Sequence, residues 1–394
     1  MTRLWDKGLP LDERILRYTA GEDHVLDARL VPYDVAASIA HAEMLAETGL
    51  LSAGDCAAIR GGLEALAAGF AAGDWRIELE DEDVHTALET RLTAAIGDAG
   101  ARLHLGRSRN DQVLTALRLY MRDAADDLGT RVAALRGSLS ALAERHRDVE
   151  LPGYTHMQQA MPSSVPLWCG GYDDAFADAA VGLLAAQRRI DRNPLGSAAG
   201  YGTPGLPLDR ESTRAKLGFG ETQEPVTAVQ LSRGKAEGTL VFEIALLLTD
   251  IGRMASDLLL FYTQEFAYIR LAADATTGSS IMPQKRNPDV LELLRAGSST
   301  ALACLDEVLM ITAKLPSGYQ RDLQRLKAPL FRAIDLAVDS VDIAAAVLEG
   351  VSFCPENIRL DAGIFATGEA YRLVREEGIP FREAYRRIAG RYSK

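Results

Sequence analysis

The stretch Val113–Leu142, VLTALRLYMRDAADDLGTRVAALRGSLSAL, decides the fold class. Val113, Leu117, Met121, Ala124, Leu128, Val132, Leu135, Leu139 and Leu142 recur at steps of three or four residues. That spacing places apolar side chains on one face of an α-helix. The run is far longer than an average helix. Four more segments repeat the pattern: Trp168 to Ile190, Leu240 to Tyr262, Val290 to Leu315 and Leu323 to Leu348. Helices of this length with such stripes pack nearly parallel, which predicts an all-α bundle. No fixed internal period supports a solenoid instead. Strand signal is scarce; Trp75–Leu79 alternates briefly and reads as a short strand or an extended loop.

Shorter helical patterns cover Pro32 to Gly49 and Ser52 to Phe70, and Gly100 to Gly106 punctuates the chain before the first long helix. After Pro355 the pattern restarts in short segments. The expected division is an N-terminal helical domain over 1–108, a long-helix domain over 109–354 and a small C-terminal domain over 355–394.

Composition narrows the function. The chain has 394 residues, 47% hydrophobic and 25% charged, with 43 Lys and Arg against 55 Asp and Glu, a net charge of −12. That balance disfavours general attraction to nucleic acid or an anionic membrane. Cys56, Cys169, Cys304 and Cys354 are scattered, with no Cys-x-x-Cys and no His-Glu-x-x-His, so neither a zinc site nor a disulfide framework is expected. Met1–Lys7 carries no apolar signal core, and the charge-free run Leu151–Tyr172 is broken by three prolines. The reading is a cytoplasmic protein.

Three stretches between the long segments are poor in charge and rich in Gly, Pro, Ser and Thr: Leu151–Tyr172, Asn193–Leu208 and Ala275–Pro283. Such loops tend to be ordered and close to a site. Gly200–Gly205 matches a dinucleotide fingerprint by letters, but no strand precedes it and Pro204 and Pro207 forbid a helix. Ser232-Arg233-Gly234-Lys235 resembles the end of a phosphate loop without its upstream glycine or following hydroxyl, and is rejected as one. His104–Asp111 reads either as a solvated helix start or as an anion site built from guanidinium forks, an amide and free N–H groups. Thr277–Pro288 reads as a Ser-rich turn, or as a hydroxyl beside a cation and an amide, a combination suited to abstracting a proton next to a carboxylate. His156, in Gly153-Tyr154-Thr155-His156-Met157-Gln158, is a candidate acid or base. His85 is a site residue or a capping one. His24, His41 and His146 read as structural or exposed.

Taken together, these motifs resemble the argininosuccinate lyase family of the fumarase and aspartase superfamily. Gly278-Ser279-Ser280-Ile281-Met282-Pro283-Gln284-Lys285-Arg286-Asn287-Pro288 is similar to the superfamily signature. Leu103–Val113 is similar to the family's more selective version of its region. Glu82–His85, Gly153–His156, Tyr319–Gln324 and Asp34–His41 agree. The resemblance implies cofactor-free and metal-free β-elimination of argininosuccinate to fumarate and arginine. It implies Ser279 as the base, Lys285 and Asn287 stabilising the dianionic carboxylate, and His156 with Glu292 assisting protonation of the leaving nitrogen. It places Ser38, His85, Arg109, Asn110, Thr155, Arg233, Tyr319, Gln324 and Lys327 among the substrate-binding positions. It implies a three-domain fold whose central helices assemble into a homotetrameric core, with sites shared between subunits. Departures are Leu4-Trp5-Asp6-Lys7-Gly8-Leu9, Met161–Trp168, Val226–Lys235 and an ending soon after Pro380–Ala384. They read as a divergent or C-terminally short branch. The alternatives are a lyase for another N-succinyl adduct such as adenylosuccinate, which Arg107–Asp111 argues against, and a catalytically silent homologue.

Overall fold

In the computed structural model, residues 12–392 are described, and the Leu4–Leu9 departure lies outside them. Helices dominate. Five are long: Arg109–Arg145, Val165–Ile190, Lys235–Tyr262, Asp289–Thr312 and Lys327–Gly350. Each carries one of the five apolar stripes, and the stripes are buried; Leu128, Val132, Leu135, Leu139 and Leu142 are almost wholly inaccessible. The fifth helix starts later than its stripe, because Arg321–Leu326 forms a 3-10 turn. Pro329 explains the start. It is tolerated in the first turn, whereas inside a longer helix its ring would meet the Arg325 carbonyl.

Two compact units emerge from the contacts: residues 12–127, 182–243 and 302–334, and residues 128–181, 244–301 and 335–392. Every boundary between them falls inside a long helix.

In the first unit, Val31–Glu47 packs on Ala53–Ala72. Ser52 caps the second of these, its hydroxyl accepting from Asp55 N at 3.0 Å. Trp75–Glu78 is an extended loop, not a strand. Its indole N–H donates to Leu66 O at 2.9 Å, and Arg91 lies over the ring at 4.7 Å. Ala37, Ala40, Leu119, Leu195, Leu217 and Phe219 form a buried cluster of this unit.

The second unit holds a feature the sequence reading missed. Leu151–Tyr172, read as a loop, is a β-hairpin, Glu150–Thr155 with Gln158–Ser164, followed directly by the first turns of the Val165–Ile190 helix. Pro152 faces Pro162 across the ribbon, and the register shifts between Gly153 and Tyr154. Those residues erase the alternation that marks a strand, and they are tolerated because both strands of a two-stranded ribbon are edges. Asp257 accepts from Trp168 Nε1 at 3.0 Å and Tyr172 Oη at 2.8 Å, anchoring the following helix. Near the C-terminus, Ala366–Glu377 and Phe381–Tyr392 pack through Ala370, Ala384 and Ile388. Among the described residues, no helix is long and apolar enough to cross a membrane.

Candidate active site

The first unit contains a cleft of about 380 Å³. Seven of the residues singled out from sequence line it: His85, Arg109, Asn110, Arg233, Tyr319, Gln324 and Lys327. They come from four separate parts of the chain. His85 is on the first turn of Val84–Ile96, a helix capped by Asp83, whose carboxylate accepts from Thr86 N at 2.9 Å. Arg109 and Asn110 open the Arg109–Arg145 helix. Arg233 sits in the turn before Lys235–Tyr262. Gly234 makes that turn with φ +84°, and a Cβ there would collide with Thr312. Tyr319, Gln324 and Lys327 lie in and around the 3-10 turn before the last long helix.

Charge in the cleft is paired. Arg109 holds Asp83, its Nε donating at 3.0 Å. Lys327 Nζ meets Asp27 at 2.6 Å and Asp23 at 2.8 Å, all three well buried. Arg233 lies 3.4 Å from Glu237, which also accepts from Gly234 N at 2.8 Å. His85 Nδ1 bonds Asp34, and Ser38 Oγ donates to the other oxygen of that carboxylate at 3.0 Å. Arg107 in turn donates to Ser38 Oγ at 2.8 Å. Ser38 is therefore one layer behind the cleft wall.

These pairings set the protonation. Burial pushes Asp34 up, but His85, Arg107 and the Ser38 hydroxyl outweigh it and leave the carboxyl below its ordinary value. Burial disfavours the His85 imidazolium, yet Asp34 and Asp83 outweigh that and raise it. Asp83 is drawn down to about 2 against burial, by His85 and Arg109. Asp23 goes the other way. It shares one ammonium with Asp27, and burial lifts it to about 7 despite Lys327. His85 Nε2 is buried in the cleft lining without a hydrogen-bond partner. The cleft thus offers a buried imidazolium N–H, the Asn110 amide and the Tyr319 phenol to a polar ligand. Lys327, Arg109 and Arg233 are held in place by carboxylates behind them.

Asp34, Asp83 and Asp111 were not singled out from sequence as site residues. Asp111 accepts from Gly196 N at 3.0 Å and Ala198 N at 2.8 Å, tying the Asn193–Leu208 stretch to the start of the long helix. Burial raises it to about 6. Usable signals existed: Asp34 lies one turn before Ser38, and Asp83 stands in a helix-capping position.

The remaining candidates, Thr155, His156, Ser279, Lys285, Asn287 and Glu292, belong to the second unit. His156 and Met157 form the tip of the hairpin with φ +52° and +60°. Thr277–Gly278 pairs with Arg286–Asn287, and between them the loop is largely exposed. Ser279 Oγ accepts from Met282 N at 3.2 Å and Ile281 N at 3.4 Å. Asn287 Nδ2 donates to Gly278 O at 3.3 Å. Among the described residues, no hydrogen bond or ion pair joins His156 to Glu292 or to Ser279, and Lys285 has no carboxylate partner.

Comparison with known proteins gives this arrangement its context. A family model described as Lyase matches residues 15–302. The argininosuccinate lyase of Sorangium cellulosum (strain So ce56) is 46% identical over 389 residues, covering 98% of this chain and 90% of the relative. That of Stenotrophomonas maltophilia (strain R551-3) is 41% identical over 393 residues, with coverage of 98% and 90%. The chain belongs to the argininosuccinate lyase family. Its fold agrees with solved lyases. EDDS lyase in complex with formate superposes with a TM-score of 0.82 at 27% identity, over 97% of this chain and 76% of that one. Class II fumarase from Schistosoma mansoni shares the fold alone, with a TM-score of 0.79 at 18% identity over 97% and 89%. The all-α architecture expected from the stripes, and the fumarase-like fold the resemblance implied, are therefore the observed ones. Within this argininosuccinate lyase family member, eight of the expected binding residues fall in the first unit, while Thr155 and Asn287 fall in the second with Ser279, His156, Lys285 and Glu292.

Proposed function

We propose that the protein splits L-argininosuccinate into fumarate and L-arginine, as the last step of arginine biosynthesis. The observation that carries this is the 46% identity to a named argininosuccinate lyase across 98% of this chain. In the proposed reaction, Ser279 Oγ takes the proton from the carbon beside a succinyl carboxylate. The C–N bond then breaks, its electron pair stays on the guanidino nitrogen, and His156 with Glu292 supplies the proton there. A serine needs its anion stabilised to act as a base. The Ile281 and Met282 N–H groups on its oxygen support that role. Lys285 and Asn287 meet the charge that develops on the carboxylate. His85, Arg109, Asn110, Arg233, Tyr319, Gln324 and Lys327 hold the substrate from the cleft, with Ser38 and Thr155 in support. The three sequence segments 1–108, 109–354 and 355–394 serve as its domains in this reading.

A homotetramer with sites shared between subunits fits the partition of the residues. Exposed apolar side chains on the long helices support it: Leu184, Phe242, Leu302, Leu309 and Met310 in the first unit, Val181, Leu246 and Leu293 in the second. Four cysteines free of disulfides fit the cytoplasm.

The test is to mix purified protein with L-argininosuccinate and follow fumarate by ultraviolet absorbance, with adenylosuccinate in parallel. Fumarate from argininosuccinate alone establishes the reading. Fumarate from adenylosuccinate alone, or from neither with the protein folded, overturns it.

A further inference from the structure

A second cavity of about 370 Å³ in the first unit has a different electrostatic character. Arg118, Arg188, Arg189, Arg192 and Lys235 line it, against one carboxylate, Glu221. Glu221 pairs with Arg192. Arg188, Arg189 and Lys235 have no ion-pair partner among the described residues. In a chain of net charge −12, that concentration of uncompensated positive charge is local and specific.

Arg118 is the decisive residue. It projects from the third turn of the Arg109–Arg145 helix and is 1% exposed. Its guanidinium donates to Arg192 O and, at 3.1 Å, to Ser232 Oγ, but to no carboxylate. Its Nε has no partner at all. Gln223, also lining the cavity and fully buried, leaves Oε1 unpartnered while its Nε2 donates to Ser232 Oγ at 3.0 Å. Burial works against the Arg118 charge, drawing its pKa down to about 10, with only the field of Glu237 opposing. A buried guanidinium without a counter-ion is expensive, and an anion in the cavity relieves it.

We propose that this cavity binds a small, multiply charged oxyanion of the phosphate class. Guanidinium forks match tetrahedral oxyanions, and Lys235 adds a point charge at the start of its helix. No aromatic ring lines the cavity, so nothing is present to stack a nucleobase, and the compact anion is favoured. The Ser232–Lys235 stretch, rejected above as a phosphate loop, contributes Ser232 and Lys235 to this wall by a different geometry. The site is independent of the lyase reading, since only the next residue, Arg233, turns to the cleft.

The experiment measures thermal stability and calorimetric binding of the intact protein with inorganic phosphate, pyrophosphate and citrate, at constant ionic strength set with chloride. Expected is saturable stabilisation by phosphate and pyrophosphate. It should weaken at least tenfold in Arg189→Glu/Lys235→Glu, whose exposed side chains the fold does not need, and persist when fumarate fills the cleft. Citrate binding as tightly as pyrophosphate would reassign the ligand to polycarboxylates and overturn the phosphate class. Absence of saturable binding, binding unchanged in the double variant, or displacement by fumarate would each overturn the site.

Discussion

The cleft of the first unit and the Ala275–Pro288 loop of the second are built on opposite plans. In the cleft, Lys327 leans on Asp23 and Asp27, Arg109 on Asp83 and Arg233 on Glu237, while Arg107 reaches Asp34 through the Ser38 hydroxyl. In the loop, Lys285 is exposed and has no such partner among the described residues, and Ser279 is held by two long backbone hydrogen bonds. The charges of the cleft are held by partners within the chain itself. The loop has few buried contacts, the mark of segments that open and close at low free-energy cost. In the proposed function, recognition falls to the cleft and chemistry to the loop.

The largest test of this contrast is Ser279→Ala. On a partly exposed loop it should leave the circular dichroism spectrum unchanged, while argininosuccinate turnover falls by about 10²–10⁴. Retention of turnover within tenfold would remove the loop from the chemistry. Next is a paired exchange of lysines. Lys327→Met strands two buried carboxylates and should lower unfolding free energy by about 3–5 kcal/mol in urea titrations. Lys285→Met should leave the urea midpoint in place and reduce turnover instead. Equal loss of stability in both would erase the distinction.

A smaller effect depends on pH. Asp23 takes its proton near pH 7 in the folded state and at about 3.8 when its carboxyl has the ordinary value. The folded state therefore binds the proton more tightly. That contribution to stability is complete below about pH 3.8 and is lost as pH rises through about 7. Urea midpoints measured from pH 5 to pH 8 should fall less steeply in Asp23→Asn than in the parent; parallel curves would refute the assignment. The smallest expected change is at the hairpin tip. Met157 holds φ +60°, which glycine adopts freely, so Met157→Gly should raise stability by about 1 kcal/mol. A lower melting temperature would mean that its side chain holds the turn.

The two regions were also unequally legible in the sequence. The long helices were plain because their stripes keep one spacing for many turns, as in Leu128, Val132, Leu135 and Leu139. The hairpin was hidden because Pro152, Gly153 and Pro162 interrupt alternation, and its ladder depends on a partner strand rather than on local preference. His85, Arg109 and Asn110 stood out by chemical type, whereas Arg233, Tyr319, Gln324 and Lys327 came only from the family resemblance; all seven line the cleft. Their supporting carboxylates did not stand out, because Asp34 and Asp83 meet His85 and Arg109 only through tertiary packing. The division into two units was equally out of reach, since its boundaries fall within helices, where local sequence carries no punctuation.

The first long helix has a consequence for how this chain can change through descent. It runs 37 residues, about 55 Å at the usual rise, from Arg109 in the cleft to Arg145. Losing one residue near Gly129 or Gly137 would turn everything beyond it by about 100°. Leu139 and Leu142, and with a loss near Gly129 also Val132 and Leu135, would then swing out of their seats together. The helix counts its residues as well as choosing them. A one-residue insertion or deletion should therefore cost far more here than in an irregular stretch such as Trp75–Glu78, where no helical phase has to be kept.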